Sequence, residues 1–404
     1  MTVLIFVEEV IKLFNNKWVR GALPAVCIHI SIGSVYAWSL LVARISEHLG
    51  KPQSKVQFAF SLAIFFLGMS AAFGGKLVEK NIHKSSLISA FCFSSGLLIT
   101  ALAVYIKSLV LIYIGYGCIM GIGLGVGYIT PVKSLMLWFD KQKGLATGIA
   151  VCAFGFASSV ASPIMTFLLN HVSLPLVFCI LAGIYIIPML TASMIIKKPD
   201  WWHEDAIKDN GFKLMSMWKD SRFRCIWLII FINISCGLAL ISVASPIMVE
   251  LKTNAKIIAL VVSIMGIFNG AGRLVFSTVS DKLKHRTTIY FVILGLSIVT
   301  TSLTYITGNK YMIYITLCII SACYGAGFSC LPTLLSDIFG MNNISKIHGL
   351  SLTAWAIAGL VGNQVSSLVH SCVGNYISVL IILMLAYTVA TGTNVLLVRK
   401  LKTV

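Results

Sequence analysis

Arg273 sets the chemical problem of this chain. It lies inside an apolar run that starts near Lys256, about two helical turns before the first loop charge, Asp281. No other Lys or Arg sits so far inside an apolar stretch. A guanidinium keeps its proton in any protein environment. Placing one near a bilayer centre costs about 2.5–3.5 kcal/mol on the mildest scale. Two readings follow: a bidentate clamp on a substrate carboxylate, or a structural arginine that bonds backbone carbonyls or snorkels to an interface. Asn269, Gly270 and Gly272 beside it favour the clamp, because small residues let other helices come close.

The acidic residues sharpen the choice. All thirteen Asp and Glu fall at the ends of apolar runs or between them, so no carboxylate at membrane depth is available to Arg273. An anion from outside the chain is the natural counter-charge. The same distribution argues against cation export and against a buried-carboxylate proton relay. His29, in the middle of the first apolar run, can bond a substrate, carry a proton or simply bond a neighbouring helix. The eleven Cys are scattered through apolar stretches without a Cys-x-x-Cys pair and read as small buried hydrophobes. No metal, cofactor or catalytic residue is expected. His203-Glu204-Asp205 is too thin a cluster for a membrane enzyme.

The elements that must position these residues are transmembrane helices. The chain has 404 residues, of which 58% are hydrophobic and 11% charged, against about 25% charged in soluble proteins. Runs of about 20 apolar residues predict twelve spans: 19–43, 56–78, 85–106, 108–138, 144–169, 174–196, 222–249, 256–279, 287–308, 311–338, 347–371 and 375–398. The expected organisation is an interfacial segment at 1–18, six spans within 19–196, a polar linker at 197–221, six spans within 222–398 and a tail at 399–404. The net charge of +18 flanks apolar segments instead of forming a nucleic-acid patch. With both termini cytoplasmic, 23 Lys and Arg lie on that side and 7 outside, so the positive-inside rule predicts that orientation. The plasma membrane is the default location.

The halves repeat. Gly75, Glu79, Lys80, His83 and Lys84 recur as Ser277, Asp281, Lys282, His285 and Arg286 at an offset of 202 residues. Gly123 and Gly125 recur as Gly325 and Gly327 at the same offset. A parallel duplication of a six-helix unit is the expected origin.

At this point the chain resembles the major facilitator superfamily of secondary transporters. The resemblance implies an all-α polytopic fold, two pseudo-symmetric six-helix bundles around a central site that opens alternately to each side. It also implies a cytoplasmic gate at Gly75, Glu79 and Lys80 and at Ser280, Asp281, Lys282 and Arg286. Within the superfamily the chain is most similar to the oxalate/formate antiporter family. The similarity is carried by Gly33-Ser34-Val35-Tyr36-Ala37-Trp38-Ser39, by Gly121 to Tyr128 with Lys143 to Ala150, by Gly272-Arg273 and by Tyr324 to Pro332. In that family such aromatic positions wall the substrate site, which implies roles for Tyr36, Tyr128, Tyr324, Phe328 and Trp355. Tyr36 and Trp38 are two apart and cannot share a helix face, so Tyr36 is the lining residue of the pair. The oxalate-carrying member has a second cavity cation on span eleven, where this chain has Trp355. One cation suits one carboxylate. The expected function is therefore monocarboxylate transport (lactate, pyruvate or formate), by exchange or proton-coupled symport, in a monomer. The alternative is an exporter of uncharged or amphipathic molecules with Arg273 structural.

Overall fold

The computed structural model describes residues 16–139, 142–199, 214–340, 344–375 and 377–402. Its helices are α1 (Leu23–Ile32), α2 (Ser39–Leu49), α3 (Gln53–Lys80), α4 (Ile82–Tyr105), α5 (Gly121–Trp138), α6 (Lys143–His171) and α7 (Leu174–Ile195). After the linker come α8 (Ser221–Glu250), α9 (Ala255–Ser280), α10 (Thr287–Thr307), α11 (Lys310–Phe339), α12 (Ile344–Ser351), α13 (Thr353–Val373) and α14 (Val379–Lys402). No strand occurs among the described residues. Most of the N-terminal segment and positions 200–213 of the linker lie outside them.

Polar residues between the apolar runs start the helices. Asn81, Ser108, Asp220, Asn254 and Asn309 each accept a backbone N–H of the following turn through the side chain, which satisfies donors that a helix start leaves open. Asp220 is also bonded by Arg222, whose guanidinium holds the Asp220 carboxyl below the ordinary carboxylate range. Gly50 and Gly308 close α2 and α10 with positive φ.

Among the described residues, eleven helices are long and apolar enough to cross a membrane. The expected span at 347–371 is the exception. It is broken at Leu352 into α12 and α13, and α13 carries Asn363, Gln364, Ser366, Ser367 and His370. Those side chains lower its apolarity. It still runs between two helices, packed on α3 and α8. Span one is broken as well: α1 passes into a tight 3₁₀ turn, Gly33–Ala37, before α2.

Two seams join the halves. In one, α6 lies on α9, and a Cβ at Gly155 would fall 2.5 Å from the Gly270 backbone nitrogen. In the other, α3 meets α13, where a Cβ at Gly68 would fall 2.5 Å from the nitrogen of Ala356. Without hydrophobic drive between helices in lipid, such backbone approach is the main source of association. Short connections alternate the helices, so the linker, the start of α6 and the end of α9 share one face, here the linker side; the opposite face is the far side.

Gly155→Ala is expected to destabilise the detergent-purified protein by about 1–3 kcal/mol through overpacking, seen as a lower melting temperature. Gly183→Ala, which meets open space, is the control and should leave the melting temperature unchanged or raise it.

Candidate functional site

Arg273 sits on α9 with no exposed surface. Its Nε donates to Asn269 Oδ1 at 2.8 Å, an i, i+4 pair on one helix face. Its carbon centre lies 5.3 Å from the ring centre of Phe154 on α6 and 5.2 Å from that of Phe328 on α11. Each desolvated cation–π contact is worth up to about 2 kcal/mol, so the two rings offset much of the burial cost. They give no hydrogen bonds. Both terminal nitrogens, NH1 and NH2, are buried without a hydrogen-bond partner. No carboxylate lies within ion-pairing distance of them among the described residues. The Tyr36 and Tyr128 hydroxyls are among the groups that feel the charge.

The aromatic walls come from both halves. Tyr36, in the 3₁₀ turn of span one, shares a 2.6 Å hydrogen bond between hydroxyls with Tyr324 of α11. Tyr128 of α5 meets Trp355 of α13 at 5.1 Å between ring centres, and Trp355 meets Phe328 at 4.3 Å. Phe154 contacts Tyr36, Tyr128 and Trp355 edge to face. Tyr128, Phe154, Tyr324, Phe328 and Trp355 are all buried. Trp38 turns away and stacks on Tyr116 at 4.0 Å.

His29 takes a different place from the lining residues. It is fully buried on α1, with its ring edge to face against Tyr128 and Phe154. Its Nε2 lies 3.2 Å from the Tyr128 carbonyl oxygen. A carbonyl only accepts, so Nε2 carries the proton.

A cavity of about 30 Å³ lies against the Tyr36–Tyr324 pair, lined by Tyr36, Ser39, Ser158, Asn269 and Ser321 among others. Its volume suits about one water.

Two residues central to this geometry were not among the candidate lining positions. Phe154 is one of 22 Phe and has no distinguishing motif. Its signal was Gly155, whose contact with Gly270 brings position 154 beside Arg273. Asn269 was noted only as a small polar neighbour, although its i, i+4 spacing to Arg273 already allowed the bond.

On the linker side the second repeat copy forms a clasp. Arg286 donates to Ser280 Oγ at 2.8 Å and pairs with Asp281 at 2.9 Å and Asp337 at 2.6 Å. Burial lowers the affinity of the Arg286 guanidinium for its proton, but the two carboxylates outweigh this and raise it above the ordinary arginine range. Asp281 also accepts the Leu145 backbone N–H at 3.2 Å, so a carboxylate from the C-terminal half caps the start of α6 in the N-terminal half. In the first copy Gly75 meets open space and Lys80 is exposed; the side chain of Glu79 lies outside the described residues. Lys282 is exposed too.

Asp281→Ala removes that cap, a change worth about 1 kcal/mol, or about fivefold in local opening. Amide hydrogen exchange over the first turn of α6 is expected to accelerate by that factor, with the middle of α6 unchanged.

The comparisons with known proteins agree with this architecture. The profile of the Major Facilitator Superfamily matches residues 25–363. The oxalate:formate antiporter of Oxalobacter formigenes is 24% identical over 90% of this chain and 87% of its own length. The apicoplast pyruvate carrier 1 of Toxoplasma gondii is 22% identical over 83% of this chain and 81% of its own. Among solved structures, the proton:xylose symporter XylE superposes with a TM-score of 0.72 at 16% identity, covering 91% of this chain and 93% of that one. With a helical architecture shared with a solved transporter of that fold and a profile match over most of its length, the chain belongs to the Major Facilitator Superfamily of transporters.

Proposed function

We propose that the chain is a secondary active transporter of a small monocarboxylate such as lactate, pyruvate or formate. It carries the anion without chemical change, by exchange or together with a proton. The observation that carries this reading is the pair of terminal nitrogens of Arg273, fully buried and without hydrogen-bond partners. They form the fork that matches a carboxylate in two parallel bonds. One cation facing an apolar wall closed by Trp355 suits a single negative charge; a second carboxylate would be desolvated without a partner. Two relatives are named for carriage of small carboxylates, which supports the same class.

Transport would follow from separation of the halves. Opening on the far side parts Tyr36 from Tyr324 and exposes Arg273 to the cavity beside Asn269. Opening on the linker side breaks the Asp281 cap on α6. In this reading the Ser280–Asp281–Arg286 clasp is the gate, both termini are cytoplasmic, the membrane is the plasma membrane, and the unit is a monomer. A second reading, with Arg273 structural and the cargo uncharged, draws on the same Phe154 and Phe328 contacts that shield the guanidinium.

Arg273→Ala and Arg273→Lys in proteoliposomes separate the two. Removing one member of a desolvated charge pair costs about 2–5 kcal/mol, so exchange of radiolabelled lactate should fall at least about 30-fold in Arg273→Ala. Arg273→Lys keeps the charge but loses the fork and should also fall well below wild type. Equal lactate exchange in wild type and both variants would favour the structural arginine.

A further inference from the structure

We infer that His29 is the proton-binding site that couples anion movement to proton movement, its imidazole taking a second proton as a carboxylate reaches Arg273. The inference rests on the anion reading above and adds to it the coupling ion and the residue that binds it.

The geometry leaves one place for that proton. Nε2 already donates to the Tyr128 carbonyl oxygen. Nδ1 therefore holds a lone pair, and it is buried with no hydrogen-bond partner. A buried polar atom left unpaired is costly. The ring also faces a second backbone acceptor, the carbonyl of Ala150 on α6. A neutral imidazole has one N–H for two acceptors, whereas an imidazolium has two. The surroundings of His29 thus suit the charged ring in hydrogen bonding, and the cost that remains is electrostatic.

Burial is the larger part of that cost, and the Arg273 charge adds to it. The charged or titratable groups that face His29 are the Arg273 guanidinium from α9 and the Tyr128 phenol from α5. From α6 come the Ala150 carbonyl and the Phe154 ring. Tyr185 of α7 interacts with Ser34 instead. No carboxylate faces the ring among the described residues. Phe154 touches both cation sites, with Arg273 at 5.3 Å from its centre and the His29 ring at 6.1 Å in an edge-to-face contact. Two positive charges this close in a dry interior repel strongly. A carboxylate on Arg273 cancels the repulsion, and His29 can then accept a proton at Nδ1 from water on the open side.

The charge balance is simple. Arg273 alone places one positive charge in the cage. Arg273, a carboxylate and a doubly protonated His29 also sum to one. Anion and proton enter together, and both leave when the site opens to the other side. The step moves a proton and breaks no covalent bond of the cargo.

The test uses wild type and His29→Gln in proteoliposomes, with radiolabelled lactate as the probe. Gln keeps an N–H for the Tyr128 carbonyl but titrates nowhere in the working range. Two rates are compared: lactate exchange at equal pH, and net uptake driven by an inward proton gradient. At one proton per anion, a gradient of one pH unit supports about tenfold accumulation, which wild type is expected to approach. In His29→Gln the ratio of gradient-driven uptake to exchange should fall to its value without a gradient. An unchanged ratio would overturn the inference, as would a wild type that exchanges lactate but ignores the gradient. If His29→Gln fails to fold, wild type alone decides. Lactate added to weakly buffered detergent-purified protein with a pH indicator should draw one proton from solution per lactate bound, and no uptake overturns the coupling. A wild type that neither exchanges nor binds lactate overturns the anion reading itself, and the coupling with it.

Discussion

The desolvated guanidinium of Arg273 is the constraint on which the rest of this structure depends. It cannot shed its charge, and no carboxylate reaches it among the described residues. Its surroundings moderate the cost without removing it. Asn269 takes one of five donors, and Phe154 and Phe328 supply two aromatic faces. The remaining donors, on NH1 and NH2, are buried without a hydrogen-bond partner. The lining rings are therefore joined to the charge by electrostatics as well as by packing.

Bringing those rings to one point requires close helices, and the glycines provide that. Gly155 against Gly270 sets Phe154 over Arg273, while Gly68 against Ala356 sets the depth of α13 and so of Trp355. Both contacts run between the halves, as do the Tyr36–Tyr324 hydrogen bond and the Asp281 cap on α6. Close packing of α6 on α9 runs along the seam, and directional hydrogen bonds cross it. The Tyr36–Tyr324 hydroxyl pair, the Ser159 bond to the Ser263 carbonyl at 2.8 Å and the Asp281 cap on the linker side cross it, and such localised bonds are compatible with a molecule that opens at one end while closed at the other.

Much of this architecture was legible from the residues. Apolar runs marked the helices because lipid leaves the backbone no alternative. The offset of 202 residues exposed the duplication, and Arg273 announced itself as the one cation deep in a run. The span at 347–371 was less clear, since α13 carries polar residues and packs between α3 and α8, where less of it need be apolar. Tyr36, Tyr128, Tyr324, Phe328 and Trp355 were named through a family resemblance, and the structure gathers them around one charge. Phe154 escaped because its place depends on the rotation of α6 relative to α9, a property of the Gly155–Gly270 contact that no single-helix pattern encodes. His29 was seen as a candidate contact, but its packing against Tyr128 and Phe154 depends on how α1 enters the bundle.

The central claim is that the partner missing from Arg273 is a carboxylate. Its most direct test is the thermal stability of purified wild type titrated with lactate and with lactamide, which share shape and hydroxyl but differ in charge. A ligand that binds only the folded state raises its stability with concentration. The account predicts a saturable rise in melting temperature with lactate and none with lactamide. An equal response to both, or a response to lactamide alone, would contradict it.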